Sequence, residues 1–156
     1  MSRLLFVAML VAILMAAPAE PVSWTVAGAS PVQVKAGGRF TVKLNARIAD
    51  GWHLYGMKPE PGGPIPTRIW ITEGQPLTLA GPIEAAEPRT LHDPSFDMEV
   101  GIYERQASFT MPVRIARTAP TGALNMLVNG SYQTCDNKIC LPPKTVEVEV
   151  PLSVSK

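Results

Sequence analysis

The sequence contains little cysteine and little histidine, with two residues of each among 156. Cys135 and Cys140 therefore allow a single intramolecular disulfide bridge. A zinc site built from both cysteines would need His53 and His92, each far from the pair in sequence, to converge on it. The spacing of these four residues is that of neither a zinc ribbon nor a zinc finger. We therefore expect no metal and no cofactor.

Charge is also sparse, and neither sign dominates. Acidic and basic residues make up 17% of the chain, and the formal net charge is +1. Without residues 1–19, the chain keeps 13 of its 14 basic residues and all 13 acidic ones, a balance of zero. A nucleic-acid partner is therefore not expected. No Ser/His/Asp order, paired-carboxylate motif or phosphate-binding loop is present, so the enzyme classes that depend on them are not indicated either.

Long apolar runs are missing except at the start of the chain. Residues 4–17 form one such run behind Arg3, but it is shorter than the roughly 20 residues needed to span a bilayer. Ala17 and Ala19 fit signal-peptidase cleavage before Glu20, and no cysteine follows that could carry a lipid. We expect residues 1–19 to be a signal peptide and residues 20–156 a single exported domain. That domain would not stay inserted in the membrane and would lie in an oxidising compartment.

Helical periodicity is absent as well, whereas a period of two is clear. The chain has 16 prolines, and no stretch of helical length avoids proline and glycine while keeping an apolar stripe. Residues 40–48 and 146–150 alternate apolar with polar side chains, as half-buried strands do. Shorter candidate strands cover residues 32–35, 52–55, 67–72, 77–80, 108–115 and 124–133. About eight short strands separated by turn signals predict an antiparallel β-sandwich.

Two segments do not have the pattern of strands. Residues 58–66 are rich in proline and glycine, and residues 84–104 form a long connection without clear alternation. Loops as long as the second are often functional in a compact domain, so we expect residues 84–104 to be such a loop.

The cysteine pair has three readings. A structural bridge across so short a loop would contribute only about 2 kcal/mol by the loop-entropy relation, against more than about 4 kcal/mol for a bridge across most of the chain. A metal clip lacks nearby ligands. A redox-active dithiol is the third possibility, because short, exposed bridges are readily exchanged. The spacing alone leaves the structural and redox readings open.

The residues around the pair resemble a known family. The stretch YQTCDNKICLPP (residues 132–143) is similar to the cysteine region of the N-terminal periplasmic domain of the bacterial thiol:disulfide interchange protein DsbD. DGWHLY (residues 50–55) and HDPSF (residues 92–96) are similar to two further motifs of that domain, in the same order. The resemblance covers nearly all of residues 20–156. It departs from the family in having one residue fewer between the cysteines, His53 at an aromatic position and Pro94 at an acidic one.

The resemblance implies an immunoglobulin-like sandwich that relays electrons in the periplasm by thiol–disulfide exchange, a protein-disulfide reductase activity associated with cytochrome c biogenesis. It implies that Cys140 forms mixed disulfides, that Cys135 resolves them, and that Phe96 covers the pair. Thioredoxin-like oxidoreductases and a separate membrane electron donor are the implied partners. The alternative is a binding or scaffold module of the same fold with a structural bridge.

Three aromatic or imidazole groups are expected beside the pair. Tyr55 and His53 lie on the strand that resembles the family's active-site strand, and Tyr132 is three residues before Cys135. His53 could hold the proton that a thiol releases, or lower the pKa of the thiol as imidazolium. Without the family resemblance, His53 would be interpreted as an ordinary strand histidine and Phe96 as a residue anchored in the core.

Overall fold

The computed structural model describes residues 20–28 and 30–156. The expected signal peptide, residues 1–19, lies outside the described residues. Within this part of the chain there is no helix of the length and apolarity that crossing a membrane requires. The strands, in chain order, are β1 (Val22–Ala27), β2 (Val32–Lys35), β3 (Arg39–Ile48), β4 (His53–Tyr55), β5 (Arg68–Ile71), β6 (Leu77–Leu79), β7 (Glu84–Ala85), β8 (Arg89–Asp93), β9 (Met98–Glu104), β10 (Gln106–Ile115), β11 (Gly122–Tyr132), β12 (Thr134–Cys135) and β13 (Lys144–Ser155).

The strands form three sheets. The first has the order β1-β3-β10-β6, with β7 also paired to β10, and the second has the order β2-β13-β11-β5. The third joins short strands in the order β12-β4-β9-β8. Pairing within the sheets is antiparallel, except that β13 and β2 run parallel. The all-β sandwich predicted from the sequence is confirmed, and the parallel pair is a detail that the pattern does not reveal.

The main core lies between the first two sheets. It consists of side chains from every second position of the long strands. In β10 the buried positions alternate strictly with less buried ones, and β3 and β11 follow the same rule. Removing one such side chain from water stabilises a fold by about 1.5–3 kcal/mol. The largest fully buried members of this core are Leu44, Leu54, Phe109, Met111, Ile115, Met126 and Leu152.

The prediction for residues 84–104 is wrong, because this segment contains β7, β8 and β9. Strands β8 and β9 form a hairpin whose turn, residues 94–97, connects the paired residues Asp93 and Met98. The alternation is hidden in the sequence because β8 buries Asp93, an acid, at a position where strand patterning predicts an apolar side chain. Residues 58–66 contain no strand, as predicted.

A long antiparallel ladder positions the cysteines. Strands β11 and β13 are in register from Gly122 opposite Val154 to Tyr132 opposite Lys144. Residues 133–143 connect the two strands at that end of the ladder. Within this connection, β12 leaves the second sheet and pairs with β4 of the third. The cysteine pair therefore lies where the ladder of the main core meets the small sheet.

Candidate functional site

Cys135 and Cys140 are opposite residues of a short hairpin and are joined by a disulfide bridge, with their Cα atoms 4.0 Å apart. Hydrogen bonds flank the pair on both sides: the amide of Asp136 donates to the carbonyl of Ile139, and the amide of Leu141 donates to the carbonyl of Thr134, each at 2.9 Å. Opposite residues without hydrogen bonds to each other have the closest side chains of an antiparallel pair. The hairpin thus holds the two sulfurs in bonding range.

Asp136 closes the tip of this hairpin. Its Oδ1 accepts the backbone amides of Lys138 and Ile139, each at 2.7 Å. These two hydrogen bonds, that of Ile139 first, lower the pKa of the exposed Asp136 carboxyl. Asp136 therefore stabilises the turn as a local acceptor.

The two sulfurs differ in access to solvent. Cys135 is 1% exposed, whereas Cys140 is half-buried and its Sγ lies 3.8 Å from the Ser95 hydroxyl oxygen. Cys135 belongs to a small apolar cluster, separate from the main core, with Tyr55, Val100 and Ile102. We call these four residues the site cluster. An attacking thiol from outside can thus approach Cys140 more easily than Cys135.

The hydroxyl of Tyr55 is the polar group next to the buried sulfur. Its oxygen lies 3.0 Å from Cys135 Sγ, 2.5 Å from Asp93 Oδ2 and 3.3 Å from His53 Nε2. His53 Nε2 lies 3.7 Å from Asp93 Oδ2. His53 and Tyr55 both come from β4, and the pairing of β4 with β12 sets His53 opposite Cys135. The third sheet therefore gathers an imidazole, a phenol and a carboxylate beside one sulfur.

The burial of these groups shifts their pKa values. Burial is the largest influence on Asp93 and raises its pKa, but hydrogen bonds from Tyr55 and the Ser95 amide, with nearby His53, bring the pKa below its usual range. Burial lowers the pKa of His53, and Asp93 offsets only part of that effect. Burial, with the adjacent Asp93, raises the pKa of Tyr55. At neutral pH the site therefore holds an ionised Asp93, a neutral His53 and an intact phenol.

His53→Phe should flatten the fall in Tm between about pH 7 and about pH 5. Because the pKa of folded His53 is lowered, the unfolded chain binds a proton in this window that the folded chain does not. The stability linked to His53 is thus fully present above about pH 6.5 and is lost as the pH falls. Thermal melts followed by circular dichroism at the two pH values measure the slope. Equal slopes for His53→Phe and wild type would contradict the prediction.

The turn between β8 and β9 lies over the bridge. Phe96 packs against the site cluster, and its ring is perpendicular to that of Tyr55, with the centroids 6.1 Å apart. Asp97, the residue after Phe96, has a positive φ of 51°, which Asp tolerates better than most side chains. Asp93 begins the turn, since its Oδ1 accepts the Ser95 amide at 2.8 Å. One turn therefore places the Phe96 ring against the site cluster and the Asp93 carboxylate on Tyr55.

Tyr132 lies outside the site cluster. Its ring is buried in the main core, with its centroid 5.6 Å from that of Trp24. One edge of Tyr132 borders a cleft of about 200 Å³ behind the cysteine hairpin, shared with Leu141 and Pro142. The structure thus brings together the predicted residues Cys135, Cys140, His53, Tyr55 and Phe96. It places Tyr132 in the packing behind them.

Sequence reasoning missed Asp93 as a site residue. The residues Asp-Pro-Ser at 93–95 do indicate a turn that an Asp side chain caps, and this was the available signal. No feature of the neighbouring sequence indicates that the Asp93 carboxylate is 2% exposed and hydrogen-bonded to Tyr55, 38 positions earlier. Only the pairing of β8 and β4 with β9 reveals that contact.

The chemistry open to this arrangement is that of sulfur and protons. One accessible sulfur, one buried sulfur and a hydrogen-bonded acid allow thiol–disulfide exchange with controlled proton transfer. Among residues 20–28 and 30–156, no three His, Cys, Asp or Glu side chains are grouped so that they could hold a metal ion.

Comparison with known proteins agrees with the resemblance found in the sequence. The model of the family described as thiol:disulfide interchange protein DsbD, N-terminal, matches residues 24–152. The N-terminal periplasmic domain of ScsB from Proteus mirabilis is similar in structure, with a TM-score of 0.51 and 17% identity. The alignment covers 85% of this chain and 45% of the ScsB chain. This chain therefore spans less than half of that structure, and at such low identity the likeness concerns the fold alone.

Other comparisons add less. The major subunit of aggregative adherence fimbriae type I from Escherichia coli aligns with a TM-score of 0.40 and 10% identity, over 86% of this chain and 95% of that one. An alignment with so low a TM-score and identity supports no conclusion about this chain. No curated protein matches the sequence.

Proposed function

This chain belongs to the DsbD N-terminal domain family, and from that membership and the geometry of the pair we propose that it is a periplasmic thiol–disulfide exchange protein. It relays electrons between other proteins through Cys135 and Cys140. The observation that carries this proposal is the unequal access of the two sulfurs, because exchange needs one sulfur open to a partner and one withheld from it.

Exchange begins at Cys140 in this proposal. A partner thiolate attacks Cys140 Sγ, the bond to Cys135 breaks, and Cys135 leaves as a thiolate. A buried thiolate is costly without a hydrogen bond. The Tyr55 hydroxyl, which donates to Asp93 while the bridge is intact, lies 3.0 Å from Cys135 Sγ and can donate to the sulfur once the thiolate forms. The partner's second thiolate then attacks the partner sulfur of the mixed disulfide. Cys140 leaves as a thiolate, the partner departs with its own disulfide, and Cys135 and Cys140 each take up a proton.

The proposed partners are thioredoxin-like oxidoreductases of the periplasm and a membrane electron donor, with cytochrome c biogenesis among the processes supplied. Family membership supports thiol–disulfide partners in general. Ile139, next to Cys140, is 54% exposed and could contact such a partner from the otherwise polar hairpin tip.

The bridge should be reduced at mild potentials while the protein stays folded. It closes a ring between residues only five apart, so the fold gains little from keeping it. Folded protein is equilibrated in glutathione redox buffers of graded potential, quenched with acid, alkylated and analysed by mass spectrometry. We expect a midpoint well above about −300 mV, the upper limit typical of structural bridges. A bridge that stays oxidised at that potential in folded protein would establish the structural alternative.

A further inference from the structure

The hydroxyl of Tyr55 has one hydrogen and three polar neighbours. In the disulfide form the ionised Asp93 carboxylate, at 2.5 Å, is the strongest acceptor, while disulfide sulfur is a weak one. When the bridge is reduced, Cys135 acquires a hydrogen of its own and can donate it to the Tyr55 oxygen, 3.0 Å away. The three groups then form a chain from sulfur through phenol to carboxylate.

We propose that Asp93 is the positioning residue through which Cys135 loses its proton when the bridge re-forms. The inference rests on the proposed function, because it concerns the step in which Cys135 resolves a mixed disulfide on Cys140. Asp93 acts through Tyr55 and does not touch the sulfur itself.

The step balances in atoms and electrons. The Cys135 proton passes to the Tyr55 oxygen as the Tyr55 hydrogen passes to Asp93. Cys135 sulfur forms a bond to Cys140 sulfur, and the bond between Cys140 and the partner sulfur breaks. The partner leaves as a thiolate with the electron pair of that bond. Asp93 later returns its proton to solvent when the turn opens, so the oxidant is the mixed disulfide itself.

Asp93 is better placed for this role than the other charged groups around the site. His53 lies farther from the Tyr55 oxygen, at 3.3 Å. Glu104 of β9 is paired with Arg89 of β8 on the surface. Asp136 is occupied by the amides of its own turn. Asp93 in contrast is buried, and its second oxygen is fixed by the Ser95 amide.

The test isolates the resolving step with a small coloured disulfide. Fully reduced protein is mixed with excess dithiobis-nitrobenzoate, and release of the nitrothiolate is followed by stopped-flow absorbance. The first release reports attack by Cys140, and the second reports attack by Cys135 on the mixed disulfide. Asp93→Asn should leave the first phase unchanged and slow the second roughly a hundredfold near neutral pH, the lower end of general-base effects.

The pH profile separates proton transfer from a structural effect. With Asp93 as acceptor, the second phase should vary little between about pH 6 and 8. In Asp93→Asn it should rise about tenfold per pH unit over the same range, because only the fraction of Cys135 already present as thiolate can then attack. Equal slowing at every pH, or an unchanged profile, would overturn the proposal. Asp97→Asn, in the same turn but exposed, is the control and should behave as wild type.

A double mutant tests the path through Tyr55. Tyr55→Phe should slow the second phase as Asp93→Asn does, and combining the two should add little, because both remove one chain. Additive losses would show that Asp93 acts by another route. If Asp93→Asn does not fold, as judged by circular dichroism, the wild-type profile and Tyr55→Phe decide instead, and a steep wild-type profile refutes the inference. The assay starts from reduced protein, so it gives an answer even if the bridge proves too stable for a relay.

Discussion

Cys135→Ala should accumulate a stable mixed disulfide, and Cys140→Ala should accumulate almost none. In Cys135→Ala the accessible sulfur of Cys140 remains, but the buried sulfur that would release a bound partner is gone. In Cys140→Ala the remaining sulfur is enclosed by the site cluster. Incubation with oxidised glutathione, an acid quench and intact-protein mass spectrometry measure the adduct in each variant.

Wild-type protein is the control, because its Cys135 should clear the adduct and restore the bridge. The same comparison with a thioredoxin-like protein in place of glutathione extends the test to a protein partner. A larger adduct on Cys140→Ala than on Cys135→Ala would reverse the roles of the two cysteines.

Phe96→Ala should speed reduction of the bridge by small thiols and leave the fold nearly as stable as before. The ring packs on the site cluster from a surface turn, and a contact between an aromatic ring and sulfur is worth about 0.3–1.5 kcal/mol. Because about 1.4 kcal/mol corresponds to a tenfold change, we expect up to a roughly tenfold faster reaction. Reduction by dithiothreitol, sampled by alkylation, measures the rate, and thermal melts measure stability.

Phe109→Ala is the matched control for that experiment. Phe109 is 0% exposed in β10 and stacks with Trp24 at a centroid distance of 5.5 Å. Its truncation should cost about 3–5 kcal/mol, as emptying a core phenylalanine site does. A loss of that size in Phe96→Ala would make Phe96 a core residue and remove its role as a cover.

The sequence predicted the fold well where burial follows local alternation. Strands β3, β10 and β13 were recognised because every second residue is apolar and faces the main core. The short strand β1, whose Val22, Trp24 and Val26 face the main core, was not predicted, since it closely follows the expected signal peptide. The cysteine pair was found because it is the only one.

The contacts of the site could not be predicted in the same way. The partner of Asp93 is Tyr55, and the two meet because β8 and β4 both pair with β9, which no local period encodes. For Tyr132, closeness to Cys135 in sequence predicts a position beside the pair, whereas the structure places the side chain in the main core. Tyr132 ends β11, where the alternation of that strand turns its ring into the main core, although Cys135 is three residues away. The roles of the site residues remain predictions.

The cysteine hairpin lies at the end of the β11–β13 ladder, so its tip can change in length without entering that ladder. The ladder is complete from Gly122 to Tyr132 without any contribution from the bridge. The hairpin tip, residues 136–139, projects beyond the core and is closed by its own Asp136. An insertion there would enlarge the disulfide ring and leave the sandwich as it is. The length of the tip is therefore one dimension of the site that can be changed without breaking a pair of the β11–β13 ladder.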